Sequence, residues 1–459
     1  MELTLGNIVK ACKGKYFGDH SLLDQNIENV TTDSREVVKD SLFIAFKGLK
    51  VDGHSFIEGA FRSGAVCCIS EHEIDAPAGA VIVVESSYQA LRDIAAFYRS
   101  TLNIPVIGIT GSVGKTGTKE MIASVLSQKF NVHKTEKNYN NDIGLPQTLL
   151  KIRSEHEIAV VEMGINHFGE MRVLAEIARP NVVVMTNIGP CHLENLIDLD
   201  GVLRAKSEVF EYVNPEGAVF LNGDEPPLCE VKSANGIKPV FFGFKTSLDY
   251  YADHFSRSDT EGSSCMIHNG SASIPITINA PGKHMVYHAL AAAAVGKYFG
   301  LFDEDIHNGI SAIRPESGRN NLIHVNGITL IDGCYNASPV SMKSSVDILS
   351  AYNGRKICIL GDMFELGKNS EALHFEVGEF IAGKNIDLLL TAGTLAENIA
   401  RGASENESLE IISYETKEAL IKDLTRLIKA GDTILLKASH GMHFDAIIQY
   451  MSSQEFHPL

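Results

Sequence analysis

The residues with the clearest chemical capacity are Gly108-Ile109-Thr110-Gly111-Ser112-Val113-Gly114-Lys115-Thr116. They follow a β-branched run, IPVIGIT, and precede a helical pattern from about Lys115 to Lys129. A strand, a glycine-rich turn and a helix in that order form a phosphate cradle. Glycines let backbone N–H groups approach phosphate oxygens, and the helix N-terminus adds partial positive charge. Lys115 is placed to reach the terminal phosphates, and the Thr116 hydroxyl to meet a divalent cation. The four-residue spacing of the common phosphate loop would need glycine at Ile109, so this is the shorter G-x-x-G-K-T form. The competing reading is a tight turn with a surface lysine; the β-branched strand and the threonine argue against it.

Two further strand-like runs end in candidate ligands. Ile158 to Met163 carries Glu162, and Asn181 to Thr186 leads into Asn187-Ile188-Gly189-Pro190-Cys191-His192. In a parallel sheet these C-terminal ends open on the same edge as the phosphate loop. Mg²⁺ prefers hard oxygen donors and keeps several waters, so one hydroxyl and one carboxylate beside substrate phosphates suffice. Either side chain alone would more often be a solvated or structural residue. Three successive strand ends make the functional reading the better one.

The elements that must position these groups are legible as a rhythm. Residues 1–84 read as a small α/β unit, with the strand-like runs Leu42 to Phe46 and Ala80 to Glu85 and a helix near Phe56 to Ser63. Residues 85–314 read as a central α/β unit, including a helical run Leu199 to Tyr212, a polar stretch Ser247 to Asn279 of short strands and loops, and a helix in GKHMVYHALAAAAVGKYFG. A Pro, Glu, Ser, Gly cluster at Arg314 to Arg319 reads as a linker. Alternation restarts over 315–459, with strands at Ile328 to Asp332, Lys356 to Gly361, Leu388 to Thr391 and Thr433 to Leu436. Strands alternating with helices predict parallel sheets covered on both faces. The expected fold class is α/β in three domains.

Composition limits the partners. The chain has 459 residues and a formal charge of −17. Such a chain is a poor nucleic-acid or anionic-membrane binder by bulk electrostatics, so phosphates must be held by local devices. None of the eight cysteines forms C-x-x-C, and no His/Cys cluster has zinc spacing. They read as reduced thiols of a cytoplasmic protein. No signal-peptide pattern and no run of about 18 apolar residues is evident. No nucleic-acid partner and no membrane span are expected.

Taken together, these residues resemble the Mur ligase family of peptidoglycan synthesis. GSVGKTGTKEM (111–121) is similar to its ATP loop, and EMGINHFGEM (162–171), NIGPCHLE (187–194) and AKSEVF (205–210) match further segments. Thr135 to Pro146, YNASPVSM (335–342) and GDMFELG (361–367) resemble the members that add D-alanyl-D-alanine. The resemblance runs over essentially the whole chain. It implies a small N-terminal α/β domain that binds a UDP-sugar, a central P-loop-type parallel-sheet ATPase domain, and a C-terminal Rossmann-like domain. The implied activity is an ATP-dependent ligase joining D-alanyl-D-alanine to UDP-N-acetylmuramoyl-tripeptide through an acyl phosphate. A monomer is expected.

The resemblance also implies residue roles. Gly111, Ser112, Val113, Gly114, Lys115, Thr116 and Gly117 would bind ATP, with His284, His288, Arg319, Asp332, Tyr335 and Asn336. Thr116, Glu162, His192 and a carbamylated Lys206 would hold Mg²⁺. Lys115, Asn141, His192 and Lys206 would be catalytic. Ser34, Arg35, Lys47, His54, Asn138, Lys437 and Ser439 would bind substrates, and Met442 falls in the same C-terminal motif. The chain departs from the family's pattern at Gly117, His288, Gly333, Ala438 and His440. Competing readings are a Mur-fold amide ligase with another amino acid, a small-molecule phosphotransferase, and a non-catalytic nucleotide-binding paralogue.

Overall fold

The computed structural model describes residues 3–48, 50–75, 78–257, 262–270, 272–314 and 316–454. Pro315, which opens the expected linker cluster and the third sequence unit, lies outside the described residues. Three sheets, of five, nine and six strands, follow one another along the chain.

The central sheet explains the site. Its strands run in the order Ala272–Ile278, Ser263–Asn269, Tyr250–Arg257, Val240–Gly243, Ala218–Asn222, Val182–Met185, Val106–Thr110, Ile158–Glu162 and Val132–Lys134. From Tyr250–Arg257 to Val132–Lys134 every pairing is parallel. Val106–Thr110 therefore lies between Val182–Met185 and Ile158–Glu162, and the three chemistry-bearing strand ends share one edge. The apolar runs are buried on both faces, as parallel strands require. Ala159 and Val161 enter one core, while Ile158 and Val160 enter the other. The helix Lys283–Tyr298 covers the second face with Ala289 to Val295 fully buried.

The polar stretch Ser247 to Asn279 differs from expectation. It forms a long antiparallel meander, Tyr250–Arg257, Ser263–Asn269 and Ala272–Ile278, extending the sheet. Ile274, Ile276 and Ile278 point inward while Ser273, Pro275 and Thr277 do not. That is a period-2 strand with one wet face, and Pro275 is tolerated because the strand is at the edge. The helical run expected over Leu199 to Tyr212 is an α-helix only over Leu199–Ser207, then a tighter 3₁₀ turn, Glu208–Tyr212.

The first sheet orders Lys15–Phe17, Ala80–Val83, Ala65–Ser70, Ser41–Ile44 and Asn29–Thr31. Its core face, with Leu5, Ile8, Leu42 and Ile82, is continuous with one face of the central sheet, with Val106, Val161 and Val183. The helix Ser87–Thr101 bridges them through Leu91, Ile94 and Ala95. Arg99, near its C-terminal end, is buried and donates to Ala178 O (2.7 Å), Leu102 O (3.2 Å), Arg179 O (3.2 Å) and Asn181 Oδ1 (3.1 Å). A cation there meets the C-terminus of the helix Glu170–Ala178, where the helix dipole favours it. The third sheet orders Asn321–Val325, Ile328–Asp332, Thr433–Lys437, Lys356–Gly361, Leu388–Ala392 and Glu410–Tyr414, with separate cores on its two faces.

Candidate functional site

A cleft of about 910 Å³ opens where the C-terminal ends of the central strands face the third domain. The phosphate loop is its floor. Gly111 (φ 143°) and Gly114 (φ 81°) take conformations that suit glycine, and a Cβ on Gly111 would lie 2.0 Å from Thr186 Oγ1. The loop is clamped to the next strand end. Ser112 Oγ accepts from Gly189 N (2.9 Å), Val113 N donates to Asn187 Oδ1 (2.9 Å), and Thr186 Oγ1 donates to Val113 O (2.6 Å). Lys115 curls back so that Nζ donates to Gly111 O (2.8 Å) and Ser112 O (3.3 Å).

Beneath the loop the Thr116 hydroxyl donates to Glu162 Oε2 at 2.9 Å. Asn140 Nδ2 donates to Glu162 Oε1 at 2.8 Å, and Glu162 N donates to Thr135 Oγ1 at 2.9 Å. Asn138 and Asn141 are the expected asparagines here, and Asn140 between them is the one that touches the carboxylate. Asn138 and Asn141 both line the cleft, while Asn141 Oδ1 accepts from Gly144 N (2.9 Å) at the start of the next helix.

His192 sits at the same edge with a left-handed backbone (φ 51°). Its Nδ1 lies 2.6 Å from Glu365 Oε2 of the third domain, too oblique for a hydrogen bond. Burial lowers its pKa; Glu365 opposes this, while Lys206 and Lys115 add to it. Lys206 is fully buried, and no hydrogen bond or ion pair reaches its amine among the described residues. Desolvation, aided by the charge of Lys115 and opposed by Cys191, brings its pKa down to about 8. Among the described residues no three His, Cys, Asp or Glu side chains cluster as a ready-made metal cage. The donors here are instead a hydroxyl, a carboxylate, an imidazole and a buried amine. That set fits a hard cation shared with substrate oxygens better than a protein-only cage.

The far wall holds the other expected nucleotide contacts. His284 lines the cleft and its Nδ1 lies 3.5 Å from Ser344 Oγ of the third domain. His288 is buried with Nδ1 2.8 Å from Thr118 Oγ1, and burial, with His284 and Arg319, drives its pKa down to about 3. Its ring packs on the phosphate-loop helix: a Cβ on Gly117 would lie 2.6 Å from Nε2. The departures at 117 and 288 are thus one steric arrangement. Arg319 lies over the Tyr335 ring at 3.9 Å, and both line the cleft with Asn336.

Asp332 does not line the cleft, whereas Lys437 and Ser439 do. Asp332 is buried behind the cleft, with Oδ2 accepting from Gly318 N (2.8 Å) and Oδ1 from Cys334 N (3.1 Å). It shapes the linker that presents Arg319. Lys437 is buried, its pKa lowered to about 8 by desolvation, and donates to Gly333 O (3.2 Å) and Asn336 O (2.8 Å). It braces the loop carrying Tyr335. Ser439 Oγ accepts from Phe364 N (2.8 Å), and Met442 O accepts from Lys417 Nζ (2.8 Å).

In the first domain, Ser34 and Arg35 form a 3₁₀ turn whose Arg35 forks onto Asp33, at 2.8 and 2.5 Å. That pair holds the Asp33 carboxyl down at about 2. The turn is tied to the central domain through Gln147 Nε2, which donates to Thr32 Oγ1 at 2.6 Å. Lys47 forms an isolated antiparallel bridge with Asp52. His54 is fully engaged locally: Nδ1 lies 2.6 Å from Asp52 Oδ1 and Nε2 accepts from Glu71 N (3.0 Å). None of these four lines the phosphate-loop cleft.

Comparison with known proteins matches these features. The Mur ligase middle domain matches residues 109–296, the Mur ligase glutamate ligase domain 318–440, and the Mur ligase family catalytic domain 26–107. The chain is 38% identical to the UDP-N-acetylmuramoyl-tripeptide--D-alanyl-D-alanine ligase of Bacillus subtilis, over 97% of each chain. Its fold is similar to MurF from Acinetobacter baumannii, with a TM-score of 0.91 and 30% identity over 99% of each chain. It is also similar to MurF from Thermotoga maritima in complex with ADP, with a TM-score of 0.82 and 28% identity over 93% of this chain and 97% of that one.

Proposed function

The chain belongs to the Mur ligase family, and on that premise we propose that it joins D-alanyl-D-alanine to UDP-N-acetylmuramoyl-tripeptide, splitting ATP to ADP and phosphate. The observation that carries the reading is the buried, unpaired Lys206 set between the phosphate loop and His192. A cationic amine in that position is costly. Carbamylation of its neutral form would replace the amine with an anionic oxygen donor. Thr116, Glu162, His192 and carbamylated Lys206 would then hold Mg²⁺, which supplies charge neutralisation at the triphosphate and at the reacting acyl oxygens.

The chain's own groups divide the work. A free carboxylate is inert to amines because oxide is a poor leaving group. The phosphate loop and Lys115 would hold the γ-phosphoryl group while the tripeptide carboxylate attacks it and ADP leaves, and Arg319, braced on Tyr335, lines the same cleft. Phosphate then leaves when the dipeptide amine attacks the acyl phosphate. Ser34, Arg35 and Lys47 would hold the UDP-sugar, with His54 stiffening their loop, and the Thr32–Gln147 bond sets that site relative to the cleft. An acyl phosphate must be kept from water. Contacts across the cleft would serve this: Ser344 on His284, and Val340 beside Gly189.

The test is turnover with purified UDP-N-acetylmuramoyl-tripeptide, Mg-ATP and D-alanyl-D-alanine, reading amide product by mass spectrometry and ADP release together. Dipeptide-dependent ADP release with one amide per ADP is expected. ADP release that yields a stable phosphorylated product and ignores the dipeptide would refute the ligase reading.

A further inference from the structure

A ligase of this kind must deliver an amine to the acyl phosphate, and that amine enters the cleft as an ammonium. Six carboxylates line the cleft: Glu120, Glu162, Glu225, Glu316, Asp347 and Glu365. Four of them are held by partners of their own. Glu120 pairs with Lys119 at 2.8 Å and also with Lys134; Glu162 is held by Thr116 and Asn140; Glu316 pairs with Arg319 at 3.7 Å; Asp347 pairs with Lys384 at 2.6 Å. Glu225 adjoins Asp224 on the Tyr287 wall, where burial and that neighbour raise its pKa. Glu365 alone stands at the His192 end, its carboxylate 2.6 Å from His192 Nδ1, and no lysine or arginine pairs with it among the described residues.

Its loop is built to hold it there. Glu365 has φ 63°, a left-handed conformation that costs a non-glycine residue energy and persists only when its surroundings enforce it. Met363 N donates to His374 Nε2 (2.8 Å) and Phe364 N donates to Ser439 Oγ (2.8 Å) on one side. On the other, Gly367 (φ 61°) packs so closely on the segment after His192 that a Cβ there would lie 3.1 Å from Glu194 N. Two large apolar side chains stay exposed in the same cleft. Phe364 is 42% exposed and Val340 is 37% exposed, and both line the cleft. Val340 Cγ2 would lie 3.1 Å from a Cβ on Gly189, three residues before His192. A fixed anion flanked by small apolar surfaces suits an ammonium whose α-carbon bears a methyl group.

We propose that Glu365 receives the ammonium of the incoming D-alanyl-D-alanine, with Phe364 and Val340 beside its methyl groups. The proposal rests on the ligase reading above. Two half-reactions separate the two. Acyl phosphate formation needs only ATP and the UDP-tripeptide and can be trapped by borohydride reduction; ligation needs the dipeptide as well. In E365Q the trapped acyl phosphate is retained, while KM for D-alanyl-D-alanine rises about ten- to hundredfold, the range for a lost charge-assisted hydrogen bond. E365D restores much of the loss. E365N, run in parallel because asparagine accepts the left-handed backbone, behaves as E365Q does. An unchanged dipeptide KM in both neutral variants overturns the proposal. So does loss of acyl phosphate with dipeptide saturation unchanged, which would assign Glu365 to His192 alone. If the wild-type protein itself makes no amide with this dipeptide, the ligase reading fails rather than the assignment of Glu365.

Discussion

Gly117 and His288 provide a quantitative test of how the nucleotide wall is packed. In Gly117→Ala the new Cβ would lie 2.6 Å from His288 Nε2 and 2.8 Å from Cδ2, against an ordinary contact of about 3.4–4 Å. The ring must retreat by close to an ångström, and little room is available. On one side Thr118 holds Nδ1 at 2.8 Å, and on the other the backbone at Gly114 is so near that a Cβ there would fall 2.9 Å from Cε1. Overpacking a filled site costs about 1–3 kcal/mol, and losing the buried Thr118 bond adds about 1 kcal/mol. Replacing glycine inside a helix returns about 0.8–1 kcal/mol. The net expectation is destabilisation by roughly 1–3 kcal/mol. In a His288→Ala background the clash is gone and only the helix gain remains, so Gly117→Ala stabilises there by up to about 1 kcal/mol. The coupling between the two sites should therefore be about 2–4 kcal/mol. Denaturant unfolding of the four proteins of the cycle, followed by a probe in the central domain, measures it. If Gly117→Ala stabilises the wild-type background, the packing argument is wrong.

Other consequences are equally open to measurement. Lys206→Ala should lower amide formation by at least about a hundredfold, the usual cost of a lost transition-state charge partner, and short carboxylic acids should restore part of it by occupying the vacated space. Wild-type rates would remove the carbamate from the account. Arg99→Ala removes the side-chain donor from three backbone carbonyls and leaves Asn181 Oδ1 with only Val106 N, and a loss of about 2–4 kcal/mol should appear as a lower Tm; an unchanged Tm would show that this joint is not structural. His288 has a folded pKa of about 3 against an ordinary 6.5, so its neutral form is favoured by folding. Its contribution is complete above pH 6.5 and is lost as pH falls toward 3, at up to about 1.4 kcal/mol per unit. Relative to His288→Asn, the wild-type protein should lose stability on going from pH 6.5 to 5, and parallel pH profiles would contradict the assignment.

How much of this could be read from one dimension depends on how local each signal is. The phosphate loop was legible because its strand, glycines, lysine and threonine lie within a dozen residues. Glu162 and His192 followed from parallel topology, which brings strand ends to a common edge. The strands Tyr250–Arg257, Ser263–Asn269 and Ala272–Ile278 look short and loop-like in sequence because their outward face is polar, although the alternation through Ile274, Ile276 and Ile278 carries the period. Asp332 and His54 have the right types at the right motif positions. Whether a carboxylate or ring faces a ligand or its own backbone depends on loop geometry that spacing does not encode. Glu365 lay inside a recognised motif, but its meeting with His192 joins segments more than 170 residues apart through a left-handed turn.

The shared core beneath the first two sheets has a consequence for how damage spreads. Leu5 and Ile44 pack into the same apolar mass as Val161 and Met185, directly under the catalytic edge, whereas the third domain keeps its own two interiors. A cavity cut near the nucleotide-sugar end would therefore loosen the floor on which the triphosphate rests, though it lies far from any phosphate. An equal cavity in the last sheet would leave that floor intact. Inheritable defects in the first 84 residues should thus surface as faults in nucleotide handling as readily as faults in sugar binding.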